Sequence, residues 1–200
     1  LWRGSMNKGT EDYAFGISQE KDNYPPTFYG KGRINPTQNL VDAFPMANGY
    51  PISDPASGYS ASDPYAGRDP RLAEYVIYNG AEYKGSQIIT GSYSSDNNGL
   101  NKTATSTRTG YYLRKLLRDD CNADPSATNA QYHYPVYTRY TEIFLNYAEA
   151  ANEAWGPNGK GQHGYSAYDV IKALHDRAGV GNDYLDSIAG DKDKMRELIR

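Results

Sequence analysis

Aliphatic residues are scarce in this 200-residue chain: Leu, Ile, Val and Phe together number 30, or 15%. Disordered chains reach so low a share when their net charge is high, but the net charge here is only −3. The longest uninterrupted apolar run is four residues, Tyr75 to Tyr78, so nothing reads as a bilayer-spanning helix or a secretory h-region. The single cysteine, Cys121, is read as permitting no internal disulfide and no cysteine-based zinc site. With 21 Lys+Arg against 24 Asp+Glu and no basic block, a nucleic-acid partner is not expected. The sequence has no G-x-S-x-G elbow, Walker loop, dinucleotide fingerprint or H-E-x-x-H. No cofactor and no metal follow from it.

What the chain does have is 20 tyrosines, 20 glycines and 11 prolines. The tyrosines supply large rings that can be buried, and the glycines and prolines punctuate loops. The expectation is a folded, polar, loop-rich protein.

Helical patterning is concentrated at the C-terminal end. From about Tyr137 to Trp155, Tyr140, Ile143, Phe144, Tyr147, Ala148 and Ala151 share one face, which predicts a helix with those residues in the core. Gly156-Pro157 ends it. Ser166, with Asp169 three residues on, caps a second helix whose stripe is Ala167, Val170, Ile171, Leu174 and Ala178 and which Gly179 stops. The pair predicts an αα-hairpin of tetratricopeptide type. Asp191 then caps a third helix that runs to Arg200 with no stop signal. Together with a first residue, Leu1, that is not an initiator Met, this predicts a piece of a longer protein.

Residues 1–136 lack such periodicity. Glu74–Tyr78, Gln87–Thr90 and Tyr111–Leu116 are strand candidates, Asn79-Gly80 is a turn between strands, and 54–69 and 92–107 read as long surface loops. The fold class expected is mainly α with long loops. Tetratricopeptide-like hairpins (137–200) would support a loop-rich, ligand-facing region with a few short strands (1–136).

The segments Asn35–Gly49, Asp69–Leu72, Thr109–Lys115, Tyr134-Pro135, Arg139–Ala150 and Arg177–Gly179 resemble, in family order, the C-terminal region of SusD/RagB proteins. That resemblance implies a surface lipoprotein of the outer membrane in Bacteroidota-type bacteria. Such a protein captures glycans, or sometimes oligopeptides, and hands them to a SusC-like TonB-dependent transporter. Its lipid would be attached outside these 200 residues, and the two regions would form one SusD-like domain.

Sugar recognition needs flat aromatic faces against the apolar side of a pyranose, with amides and carboxylates nearby for the hydroxyls. Trp2, Tyr13, Tyr24 and Tyr29 with Asn23 have that composition in the segment before the matched blocks, and Tyr59 and Tyr65 have it in loop 54–69. These seven are the candidate ligand contacts, with Tyr93 a further possibility.

Chemistry finds less support. Glu142 and Glu149 lie seven residues apart on one helix, about 10.5 Å along its axis. The spacing expected of glycosidase carboxyls is roughly 5–9.5 Å, so solvated or salt-bridging roles are expected and no catalytic residue is assigned. His133, His163 and His175 read as ordinary surface or loop residues. Acids beside Cys121 would raise its pKa and leave it unreactive. The alternatives to a binding protein are a helical-repeat adaptor that binds only protein and, further off, a glycan hydrolase.

Overall fold

The computed structural model describes residues 2–3, 14–134 and 136–200. In chain order the helices are α1 (Ser18–Asn23), α2 (Gln38–Ala43), α3 (Pro70–Tyr75), α4 (Tyr140–Trp155), α5 (Ala167–Ala178), α6 (Asp183–Ser187) and α7 (Lys192–Ile199). The strands are β1 (Trp2–Arg3), β2 (Ala14–Gly16), β3 (Val76–Ile77), β4 (Ala81–Tyr83), β5 (Ser86–Ile88), β6 (Tyr112–Leu113), β7 (Gln131–His133) and β8 (Val136–Thr138). The protein is mainly helical with long loops and a few short strands, as the sequence predicts.

The chain divides into two compact units that interleave along the sequence. One is built chiefly from Ala43–Pro70 and Val136–Arg200, the other from Arg3–Asp42 and Arg71–Pro135. Segment 43–70, which the sequence groups with the loops, therefore belongs with the helices. Backbone packing explains this. Gly181 donates its N–H to the Ala47 carbonyl, and the Tyr50 and Tyr184 rings lie 5.3 Å apart. Gly49 sits at φ +86°, where a Cβ would come within 2.6 Å of the Gly181 carbonyl oxygen, so both conformation and space require glycine there.

In the loop-rich unit the strands pair antiparallel two by two, β2 with β7, β3 with β6 and β4 with β5. The hydrophobic centre is instead tyrosine-built: Tyr24, Tyr83 and Tyr112 are fully buried alongside Ile17, Ile77 and Ile88. Tyr24 and Tyr83 meet edge to face at 5.9 Å and Phe28 meets Tyr83 likewise at 5.7 Å, a geometry the ring quadrupoles favour. The Tyr112 hydroxyl donates to the Asn98 carbonyl and accepts from the Thr107 N–H, both at 2.9 Å. Burial pushes its pKa up to about 12.

Those bonds turn loop 92–107 inward, and the expectation of a surface loop fails there. Ser94, Asn98, Ser106 and Thr107 are buried. The Asn98 side chain accepts from the Thr27 N–H at 3.1 Å and donates to the Thr27 hydroxyl at 2.6 Å. Asp96 accepts from the Asn98 N–H and the Ser94 hydroxyl, which makes it a turn-former.

The helical unit follows its sequence signals closely. Ser166 and Asp169 form a reciprocal capping box on α5, and Gly179 ends it in the left-handed conformation. Ala148 and Ala151 of α4 are buried with Ala167, Val170 and Ile171 of α5 and with Leu185, Ile188, Met195 and Ile199. Asn152, fully buried, donates to the Lys192 carbonyl at 2.9 Å. Glu153 accepts from Arg196, which holds its carboxyl down at about 2.

One expectation is corrected. Tyr140, Ile143 and Phe144, assigned to the core, are about half exposed or more. α5 and α7 pack where α4 carries alanines, and the bulky N-terminal half of that stripe stays open among the described residues.

Ser166→Ala is expected to cost about 1 kcal/mol, the usual worth of an N-cap, read as a shift in denaturant midpoint. The depressed Glu153 pKa means that its ion pair stabilises the fold above the unfolded-state value of 4.5 and is lost as pH falls towards about 2. Glu153→Gln is therefore expected to flatten the dependence of Tm on pH across that window and nowhere above it.

Candidate functional site

Exposed aromatic rings with polar neighbours are the feature a glycan needs, and Tyr29 presents one. It ends the short 3-10 turn Pro26–Phe28 at φ +62°, held by its N–H to the Pro26 carbonyl at 2.9 Å. That turn swings the ring outward, 55% exposed. Its hydroxyl lies near Asp124, whose carboxylate accepts from the Ser126 N–H at 2.8 Å and the Ser126 hydroxyl at 2.7 Å. The Ser126 bonds foremost hold the Asp124 carboxyl below its ordinary value. An aromatic face beside a fixed carboxylate offers stacking and hydroxyl recognition together. Phe15, exposed and 4.8 Å from the Tyr132 ring, and Tyr93, whose hydroxyl accepts from Asn79 at 2.9 Å, are further open rings of the same unit.

Loop 54–69 is built on buried Arg68. Its guanidinium donates to the carbonyls of Pro64 at 2.9 Å and Phe44 at 2.6 Å. It also lies over the Tyr59 ring, 5.7 Å from the centroid. Asp54 caps the turn Pro55–Ser57 by accepting from the Ala56 N–H at 2.8 Å. Tyr59 and Tyr65 are half-buried on this scaffold.

Two sequence candidates are removed from the site. Tyr24 is fully buried in the aromatic core, with its hydroxyl donating to the Arg118 carbonyl. Asn23, also buried, donates to the Gln19 carbonyl at 2.9 Å and accepts from the Ile34 N–H at 3.2 Å, so its amide is spent on the fold. Apolar packing and a satisfied amide take both out of a ligand's reach. The Trp2 side chain and Tyr13 lie outside the described residues.

The helical unit carries a groove of about 880 Å³ lined by Ile143, Phe144, Tyr147, Val170 and Leu174, with the Lys160–Asp169 ion pair (3.0 Å) at its polar edge. Nothing in the sequence separates this face from a core stripe. Glu142 is exposed and Glu149 pairs with Arg200 at 2.7 Å, so these two carboxylates do not work as a pair.

A further feature has no signal in the sequence. Glu20, Cys121 and His133 come together inside the loop-rich unit, with donor atoms within 4.8 Å of one another. Burial, followed by the proximity of Glu20, pushes the Cys121 thiol up. His133 and His175 are not surface residues as expected: the His133 side chain is 13% exposed and His175 is buried. No local spacing announces this cluster, because Glu20 and His133 stand 113 residues apart.

A family model described as the SusD family matches residues 1–200. No curated protein matches the chain. Among solved structures it is similar to a SusD-like carbohydrate-binding protein of Bacteroides fragilis, at 23% identity and TM-score 0.63, over 94% of this chain and 38% of that one. A SusD-like protein of the same organism is similar at 28% identity and TM-score 0.59, over 86% of this chain and 33% of that one. The sequence thus spans about a third of either structure's length. With the family pattern running from its first residue to its last, the chain belongs to the SusD family.

Proposed function

We propose that this chain forms part of a surface protein that captures glycan nutrients and passes them to a SusC-like TonB-dependent transporter of the outer membrane. A lipid anchor would hold the protein at that surface. The observation that carries the reading is the Tyr29 ring, open to solvent with the Ser126-held Asp124 carboxylate near its hydroxyl, in a chain of this family. That one similar structure is described as carbohydrate-binding supports glycan as the ligand class. Tyr59 and Tyr65 are proposed as contacts on their own loop, and Trp2 and Tyr13 as further ones. Capture proceeds by stacking and hydrogen bonding, without bond cleavage. An adaptor that binds only protein is the second reading, favoured by the apolar lining of the α4–α5 groove.

Calorimetry of the full-length protein against a panel of polysaccharides and peptides tests this, with each mixture assayed for new reducing ends. Saturable glycan binding without cleavage is expected. Tyr29→Ala should weaken it about tenfold, equivalent to about 1.4 kcal/mol, with an unchanged circular dichroism spectrum because the ring is exposed. Asp124→Asn should weaken it less. New reducing ends would overturn the binding-only reading, and peptide binding alone would replace glycan as the ligand class. Binding to no panel member would favour the adaptor.

A further inference from the structure

Glu20 is the residue of the loop-rich unit least explained by folding. It sits on α1 with no exposed surface at all. One carboxylate oxygen, Oε1, accepts from the Arg118 N–H at 3.0 Å and lies 2.9 Å from His133 Nε2. The other, Oε2, is buried and has no hydrogen-bond partner among the described residues. An orphaned carboxylate oxygen away from water is costly, and native structures rarely leave one without reason. The Cys121 sulfur, equally buried, belongs to the same cluster. A Glu–His pair alone accounts for Oε1 and leaves Oε2 unexplained.

We propose that Glu20, Cys121 and His133 form a binding site for a divalent transition-metal ion, with Zn²⁺ the ion that fits best. The donor set is one sulfur, one imidazole nitrogen and one carboxylate oxygen, a mixture that suits Zn²⁺ and excludes Mg²⁺ or Ca²⁺, which take oxygen ligands. Charge agrees. A thiolate and a carboxylate together carry two negative charges, which a divalent ion cancels.

Zinc bonds of about 2.0–2.3 Å place tetrahedral donors roughly 3.3–3.7 Å apart. The donor atoms lie within 4.8 Å of one another, with Glu20 Oε1 and His133 Nε2 at 2.9 Å, so an ion needs the side chains to shift around it. Water takes the fourth position. Binding releases the thiol proton, so affinity rises with pH.

The supports around the ligands are already placed. The Cys121 carbonyl accepts from the Lys84 ammonium and from the Tyr24 hydroxyl, the latter at 3.3 Å, so the backbone carrying the thiol is pinned. His133 is fixed by strand pairing of β7 with β2, opposite Ala14. Glu20 is fixed by α1 and by its bond from the Arg118 N–H. One ion would clasp three segments that are far apart in sequence.

The test uses the full-length protein without a tag, stripped with chelator and titrated with Zn²⁺ and, separately, Co²⁺. The expected results are one ion bound per chain and a rise in Tm of about 2–4 °C at a hundredfold excess over Kd. Co²⁺ should give a thiolate-to-metal charge-transfer band in the near ultraviolet. Cys121→Ser should remove that band and weaken Zn²⁺ binding at least tenfold while keeping the native circular dichroism spectrum, and His133→Gln should weaken binding likewise. The proposal is overturned by no saturable binding, by a Co²⁺ spectrum without the thiolate band, or by a Cys121→Ser protein that binds as tightly as the parent. Should Cys121→Ser not fold, the band in the parent protein decides alone. Glycan binding is not among the readouts, so this result and that of the capture reading stand apart.

Discussion

Tyrosine rings take the place of the missing aliphatic side chains, and each buried ring brings a hydroxyl that is costly to leave unbonded, as that of Tyr83 is among the described residues. Tyr112 finds the Asn98 carbonyl and the Thr107 N–H, and Tyr24 finds the Arg118 carbonyl. Loops rich in backbone donors and acceptors are what such a core needs around it, whereas helices and long sheets keep those groups for themselves. The loop-rich character of this unit and its aromatic core are therefore one fact. Asn98, deep in what reads as a surface loop, is the clearest case: its backbone serves Tyr112 while its side chain serves Thr27.

Local signals were legible where a single residue decides the outcome. Ser166 with Asp169, Gly179 and Asp191 mark helix ends by capping chemistry that acts within a few residues, and the structure follows them. The short helices α1 and α2 were not legible, since six residues cannot display a period. Tyr140, Ile143 and Phe144 misled for the opposite reason. Their period is correct for a buried face, but periodicity says which residues share a side and not what covers it.

The site shows the same division. Composition alone singles out Tyr29, and the turn before it supplies the outward placement that composition cannot. Tyr24, five residues earlier and chemically identical, is buried in the core. Only the neighbours that fold over a ring distinguish the two, and those come from distant sequence. Glu20, Cys121 and His133 are the extreme of that problem, because their meeting is produced wholly by tertiary packing.

Arg68 holds a further implication. A guanidinium keeps its charge at every pH a protein survives, and here it donates to the main-chain carbonyls of Pro64 and Phe44, groups that do not titrate either. These two bonds in the loop bearing Tyr59 thus hold no proton equilibrium. Acidification that loosens the carboxylate-dependent junction of α4 and α7 leaves them in place, so contacts within the helical unit differ in their tolerance of an acidic surrounding.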